Sequence, residues 1–156
     1  MAVTVPEILV DADACPVKDE VYRVAGRYEL NVRIVANSFM MVPQSPLIER
    51  VIVGSGFDAA DDWIAEHASP CAIVVTSDIL LAERCVKSGA TVLAPNGRPF
   101  DMASIGQAVA QRALMADLRA MGEVSGGPRP FSKAARSCFL SALDQAVHQI
   151  RRRPPA

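Results

Sequence analysis

The sequence predicts an α/β fold in which a mainly parallel sheet of about five strands lies between layers of helices. Two observations support this prediction: short runs rich in Val and Ile alternate with amphipathic segments of helical periodicity, and the runs are apolar at nearly every position. Alternating strands and helices are typical of parallel sheets with right-handed crossovers. Strands without a polar face are expected when helices cover both faces of the sheet. We therefore predict a three-layer domain.

The predicted elements follow one another with short connections. Strands are expected near residues 7–11, 30–36, 50–53, 71–75 and 90–93. Helices are expected over residues 16–28, 59–67 and 79–87, and two further helices, over 102–121 and 133–150, complete the chain. Pro16 suits the first turn of a helix, Gly89 suits a left-handed C-terminal cap, and Ser132 suits an N-cap.

The 156 residues fit one domain, predicted over residues 1–150, followed by a basic, proline-rich tail at 151–156 that is expected to be disordered. The apolar runs are shorter than the ~20 residues of a membrane span, and no secretory signal is visible, so we expect a cytoplasmic protein without a membrane partner. The four cysteines have no CxxC spacing and only two histidines accompany them, which argues against a zinc site. The sequence does not determine an oligomeric state.

Acidic, amide or hydroxyl side chains follow four of the predicted strands. In chain order they are Asp11 and Asp13, then Asn37, then Asp58, Asp61 and Asp62, and finally Thr76, Ser77 and Asp78. The carboxyl ends of parallel strands meet at one edge of a sheet, which is where open α/β sheets bind ligands. Crowded carboxylates repel one another unless a cation lies among them, and hard oxygen ligands suit Mg²⁺ or Mn²⁺.

These residues predict a divalent-metal site, with Asp11, Asp13, Asp78 and one of Asp61 and Asp62 as ligands. Asp61 and Asp62 lie about 100° apart on a helix, so at most one of the two is expected to face the site. Capping is the alternative explanation for single residues, because Asp78 occupies an N-cap position and the Asp61–Asp62 pair lies in a first helical turn. Asp11 is harder to explain in this way, because it ends an apolar strand and should be half-buried, and a buried charge needs a partner.

Metal ions held by carboxylates at a parallel-sheet edge suit phosphoryl chemistry. The ion polarises a phosphodiester oxygen and lowers the pKa of a bound water. No histidine is placed to act as a base, so that water is the expected nucleophile. We predict that Asp11, Asp13 and Asp78 take part in catalysis.

Several motifs resemble a known family. They are Asp11-Ala12-Asp13-Ala14-Cys15-Pro16, Val35-Ala36-Asn37, Gly56-Phe57-Asp58-Ala59-Ala60-Asp61-Asp62, Thr76-Ser77-Asp78-Ile79-Leu80-Leu81-Ala82, and Gly126-Gly127-Pro128 with Pro130-Phe131-Ser132. In this order, from about residue 7 to 147, they resemble the YaiI/YqxD family of uncharacterised bacterial proteins (DUF188, UPF0178). That family is grouped with PIN-like domains, many of which are Mg²⁺- or Mn²⁺-dependent ribonucleases. The resemblance implies a PIN-like nuclease that hydrolyses RNA at the same acidic residues.

The chain departs from the family pattern beside this site. Leu80 stands where the family usually has Pro, and Asn96 stands where it often has Arg, although Arg98 follows and could supply the cation. Ala135 precedes Arg136 where the family often has Asp. The residues predicted to contact substrate are Asn37, Thr76, Ser77, Arg98 and Arg136.

Two other functions remain open from the sequence. The chain could be a non-catalytic nucleic-acid-binding or regulatory protein that retains the acidic pocket. It could also be a haloacid-dehalogenase-like phosphatase, with Asp11 and Asp13 as nucleophile and acid and Thr76 as the second motif. The order of the motifs argues against the phosphatase, because Asp61 and Asp62 precede Thr76, whereas an Asp-Asp element should follow it.

Overall fold

A mostly parallel sheet forms the centre of the protein. The computed structural model describes residues 6–12, 15–54, 59–107, 110 and 131–152. The strands of the described residues are β1 (Glu7–Asp11), β2 (Val32–Ala36), β3 (Ile48–Ile52), β4 (Ala72–Val75), β5 (Thr91–Leu93) and β6 (Pro99–Phe100). The helices are α1 (Lys18–Tyr28), α2 (Ala59–His67), α3 (Ile79–Lys87), α4, described over residues 102–107, and α5 (Lys133–Arg152).

The strand order is β3-β2-β1-β4-β5-β6. Strand β1 therefore lies between β2 and β4, and β1 pairs with both of them in parallel. The first connections run from β1 towards β3, and the later ones run from β4 in the opposite direction. The strand order therefore reverses between β1 and β4. In open α/β sheets such a reversal leaves a crevice beyond the carboxyl ends of the two strands, and ligands bind there.

Helices cover both faces of the sheet because alternate strand residues point to opposite faces. On one face Ile8, Val10 and Ile34 pack with residues of α1 and α5, including the fully buried Phe139 and Leu143. On the other face a second set of apolar side chains, contributed by the strands and by α2, α3 and α4, includes Leu9, Val74, Ile64, Cys85 and Ile105. The two C-terminal helices thus pack on opposite faces, and the predicted three-layer α/β fold is confirmed.

Three details differ from the sequence-based expectation. Helix α1 begins at Lys18 because Pro16 and Val17 form a turn. The two-residue strand β6 was not expected, and it pairs antiparallel with β5. Helix α5 continues through Arg152, so the first two residues of the predicted tail are helical.

The expected caps are present. Gly89 has a φ of 87° after α3, and the backbone N–H of Ala135 donates to the Ser132 hydroxyl at 3.0 Å. Several predictions lie outside the described residues: those for Asp13, Asp58, Gly126-Gly127-Pro128, most of residues 108–121, and the tail beyond Arg152. No helix in the described part of the chain is long and apolar enough to cross a membrane.

Candidate functional site

The site is built around the end of β1 at the point where the strand order reverses. Asp11 is the last residue of β1 and is half-buried, as its position after an apolar strand predicts. The Thr76 hydroxyl, which follows β4, donates to Oδ2 of Asp11 at 2.9 Å. Thr76 is only 2% exposed, and its backbone N–H donates to the carbonyl of Leu93 in β5. Asp11 and Thr76 thus meet across the central strand pair.

Asp78 extends this contact into a short chain of hydrogen bonds. Its backbone N–H donates to the Thr76 hydroxyl oxygen at 3.0 Å. Its carboxylate accepts from the backbone N–H groups of Leu80 and Leu81 at 2.9 and 3.3 Å, both through Oδ1. Asp78 is therefore the N-cap of α3, as the capping alternative predicts. The same residue supports the orientation of Thr76, and through it that of Asp11.

Asp61 and Asp62 have separate surroundings, as their helical phase predicts. Asp62 is exposed and pairs with Arg84 of α3, with 2.9 Å between Oδ1 and Nη1. Asp61 is half-buried. The pKa of the Cys85 thiol is raised to about 11, chiefly by burial; the positive charge of Arg84 opposes this rise, and the negative charges of Asp61 and Asp11 add to it. Because Asp62 is turned towards Arg84 and Asp61 is half-buried, Asp61 is the better candidate for the residue that faces the site.

The donors near Asp11 are hard oxygens, which fit Mg²⁺ or Mn²⁺ better than a softer metal. Among the described residues, however, no three His, Cys, Asp or Glu side chains are grouped closely enough to hold a metal ion. Asp13, which belongs to the predicted ligand set, lies outside the described residues. The described part of the site thus consists of Asp11 and its hydrogen-bonded support from Thr76 and Asp78.

The residues that follow β1, up to the first residue of α1, bring a cation and a thiol close to Asp11. Lys18 is half-buried, and its Nζ donates to the carbonyl oxygen of Ala12 at 3.4 Å. Burial raises the pKa of the Cys15 thiol, although a backbone hydrogen bond from Val17 and the charge of Lys18 oppose this effect. Cys15 is therefore a neutral packing group at pH 7, since a nucleophilic cysteine requires a lowered pKa.

Arg136, predicted as a substrate contact, is engaged within the protein. Its Nη1 donates to the Pro16 carbonyl at 2.6 Å and lies 3.4 Å from Oε1 of Glu20. Its guanidinium carbon lies 5.1 Å from the centre of the Phe131 ring. Arg136 thus joins the start of α5 to the segment that follows β1. These contacts hold that segment, and a contact of Arg136 with substrate stays a prediction.

The other predicted substrate residues lie at the same edge. Asn37 is exposed directly after β2. Ser77 and Arg98 are exposed and line a cleft of about 570 Å³ beyond β4 and β5. Asn96 lines this cleft as well, and Ile79, Phe100 and Phe131 form much of its apolar wall.

Sequence reasoning did not identify this cleft or assign a role to Lys18. Lys18 is the nearest basic residue to Asp11 in the chain, which was a usable signal. The cleft had no comparable signal, because residues of β6, α4 and the segment before α5 meet there only in the folded chain.

Phe39, in the loop after Asn37, is 62% exposed, and the Arg50 guanidinium lies 4.1 Å from its ring centre.

The chain is similar to known proteins over almost its whole length. The family model DUF188, "Uncharacterized BCR, YaiI/YqxD family", matches residues 9–149. A UPF0178 protein of Sphingopyxis alaskensis is 66% identical over 148 residues, which cover 94% of this chain and 96% of the relative. UPF0178 proteins of Rhodopseudomonas palustris and Bradyrhizobium diazoefficiens are 64% and 62% identical, and the matches cover 96% and 98% of this chain and 94% and 92% of the relatives. No solved structure matches the chain. With agreement of this extent, the chain belongs to the YaiI/YqxD (UPF0178) family.

Proposed function

We propose that this protein is a PIN-like, Mg²⁺- or Mn²⁺-dependent nuclease that hydrolyses phosphodiester bonds of RNA at the Asp11 site. The observation that carries the proposal is the position of Asp11. A half-buried carboxylate ends the central strand where the strand order reverses, and a dedicated hydroxyl from the neighbouring strand orients it. Ligand sites of open α/β sheets lie at this place, and a carboxylate held there is suited to bind a hard cation.

Asp11, Asp13 and Asp61 are the proposed metal ligands. A bound Mg²⁺ or Mn²⁺ would polarise a phosphodiester oxygen and lower the pKa of a water molecule. Thr76 is a positioning residue, because its hydroxyl holds one oxygen of Asp11 in a fixed direction. Asp78 acts mainly through its backbone N–H, which fixes the Thr76 hydroxyl, since one of its carboxylate oxygens already caps α3. Lys18 adds positive charge that favours an approaching phosphate.

The test compares the wild-type chain with Asp11→Asn. We expect the wild type to cleave a fluorescently labelled single-stranded RNA with Mn²⁺ and to lose this activity with EDTA. Asp11→Asn should abolish cleavage, because the amide removes the negative charge while it keeps the shape. Asp19→Asn is the matched control, since Asp19 is an exposed carboxylate in the first turn of α1.

Metal binding gives a second readout that does not depend on turnover. A ligand that binds only the folded state stabilises it, by about 2.7 kcal/mol at a concentration 100 times the Kd. Mn²⁺ should therefore raise the Tm of the wild type and of Asp19→Asn, and Asp11→Asn should lose most of this shift. Equal cleavage by wild type and Asp11→Asn would identify a contaminant. RNA binding without cleavage in any divalent metal would replace the nuclease by the non-catalytic alternative.

A further inference from the structure

We propose that the cleft beside Ser77 binds one nucleotide of a single-stranded RNA, on the side of the bond that the Asp11 site would cleave. This inference rests on the proposed function and adds to it the form of the substrate. This nucleotide cleft is the cavity of about 570 Å³ whose lining includes Ser77, Asn96, Arg98, Phe100 and Phe131.

The nucleotide cleft adjoins the acidic site through consecutive residues. Thr76 holds Asp11, and the next residue, Ser77, lines the cleft. The far wall belongs to the turn between β5 and β6, and β5 lies two strand positions from β1. Strands are about 4.8 Å apart, so this wall lies roughly 10 Å across the sheet from Asp11. A nucleic-acid strand that presents a phosphate to Asp11 and continues towards β5 therefore enters the cleft.

The charge of the cleft favours an anion. Among the described residues that line it, Arg98 carries the only formal charge. Its backbone takes part in the turn between β5 and β6. Its guanidinium makes no hydrogen bond or ion pair with any described residue. An exposed guanidinium without a partner among the described residues is suited to a phosphate, which an Arg side chain binds through two parallel hydrogen bonds.

The remaining walls suit a nucleobase. Phe100 and Phe131 contribute aromatic surface, and the contact of Arg136 with the Phe131 ring holds that ring in place. Asn96 is held by its hydrogen bond to the backbone N–H of Arg98 and closes the polar side of the cleft. The volume lies within the range of roughly 300–1,000 Å³ that is typical of ligand pockets.

Single-stranded RNA fits this arrangement better than a duplex. Proteins recognise single strands by stacking unpaired bases on aromatic rings, whereas bases inside a duplex are not available to enter a pocket. A free mononucleotide offers the same phosphate and base, but it would use only the cleft and would gain nothing from the acidic site. The proposal therefore predicts that an oligonucleotide binds more tightly than a mononucleotide.

The experiment measures binding of a short fluorescein-labelled oligouridylate to the full chain by fluorescence anisotropy, with Ca²⁺ in place of Mg²⁺ and Mn²⁺, so that a cation can occupy the acidic site, and a gel confirms that the RNA stays intact. Arg98→Ala should weaken binding about tenfold, the size expected for loss of one good phosphate contact. It should also make the slope of log K against log salt shallower by about 0.7, the value for one phosphate of a single strand. Arg23→Ala removes the same charge from an exposed position on α1 and should leave binding unchanged.

Two further variants separate charge from shape. Arg98→Lys should retain part of the affinity, since it keeps the charge without the paired hydrogen bonds. Gln107→Trp should weaken binding by filling the cleft from α4, where Gln107 is exposed and lines the wall. Unchanged binding of Arg98→Ala would overturn the proposal, and so would equal affinity for a duplex of the same length or for uridine monophosphate.

The outcomes also distinguish this inference from the proposed function. Binding that depends on Arg98, together with no cleavage in any metal, would leave the cleft as a nucleotide site and reject the nuclease. Cleavage that depends on Asp11, together with binding that does not depend on Arg98, would support the nuclease and reject the cleft.

Discussion

The Thr76 hydroxyl connects two acidic residues that belong to different elements. It donates its only proton to Asp11 and accepts a hydrogen bond from the backbone N–H of Asp78. Because Thr76 is buried, none of these groups can exchange its partner for bulk water without cost. The direction of the Asp11 carboxylate thus depends on one side chain 65 positions away in the chain.

Replacing Thr76 by Val removes the hydroxyl and keeps the branched shape. We expect a loss of about 1–3 kcal/mol in the free energy of unfolding, because a buried N–H and a carboxylate lose their partner. The Mn²⁺-dependent rise in Tm should shrink as well, since Asp11 is no longer oriented. Thr76→Ser is the matched control: it keeps the hydroxyl and should keep the Mn²⁺ response. Urea unfolding and thermal melts with and without Mn²⁺ measure both effects, and an unchanged Mn²⁺ response of Thr76→Val would contradict the positioning role.

The sequence was informative for residues whose surroundings follow from local position. Asp11 was expected to be half-buried because it ends an apolar strand, and it is half-buried. The angle of about 100° between successive helical residues predicted different surroundings for Asp61 and Asp62, and Asp61 is half-buried whereas Asp62 is exposed. The partner of Asp62 could not be predicted, because Arg84 lies 22 residues away on another helix. The contacts of Arg136 with Pro16 and Glu20 likewise span 120 and 116 residues and depend on how α5 packs against α1.

The turn between β5 and β6 packs closely against α5. Gly97 has a φ of 90°, and a Cβ there would lie 2.7 Å from the backbone C and O of Cys138. The same turn carries Asn96 and Arg98, so its contact with α5 also sets the position of one wall of the nucleotide cleft.

Gly97→Ala should destabilise the protein strongly for two reasons. The left-handed conformation costs roughly 1–2 kcal/mol for a residue with a Cβ, and the clash with the Cys138 backbone forces the turn away from α5. We expect a total loss above about 2 kcal/mol in urea unfolding. Gly26→Ala is the control: a Cβ there meets nothing within 4 Å, and the change within α1 should stabilise by up to about 1 kcal/mol. Equal stability of Gly97→Ala and wild type would show that the turn can move away from α5 at little cost.

Among the elements, helices with a clear period and strands marked by an apolar run were predictable, and the irregular elements were not. The strands β1, β2, β4 and β5 came from apolar runs, and their observed bounds differ from the expected ones by two residues or fewer. Strand β6 has only two residues and begins with Pro99, so it has no periodicity. The Asn96–Gly97 pair before it was the available signal, because Asn-Gly is typical of tight hairpin turns.

At the scale of the whole molecule, the described residues form two apolar layers, and the layer with α2 and α3 contains a buried thiol. Cys85 has no exposed surface, and burial raises the pKa of its thiol from the ordinary 9.0 to about 11. At a pH between these two pKa values, the folded protein keeps the proton on the Cys85 thiol, whereas the unfolded chain has released it. A rise in pH across this range therefore favours the unfolded chain.

We expect the free energy of unfolding to fall as the pH rises from about 9 to about 11, by about 2–3 kcal/mol for this thiol alone. Cys85→Ala lacks the titrating group and should show a shallower decline, although the cavity lowers its stability at every pH. Urea unfolding at several pH values compares the two slopes. Cys15, Tyr22 and Tyr28 also have raised pKa values, but they are common to both proteins and cancel in the comparison. Parallel slopes would contradict the raised pKa of Cys85.

The central position of β1 has a consequence for synthesis on the ribosome. Its neighbours are β2, which follows soon after it, and β4, which starts at Ala72. In a nascent chain that has emerged only through β3, strand β1 can pair with β2 on one side. The backbone N–H and C=O groups on the other edge of β1 have no strand partner until β4 emerges. Thr76 also arrives only then, so a partly translated chain cannot orient Asp11. Any hydrolytic activity of this site is therefore withheld until the chain has emerged and folded through β4 and Thr76.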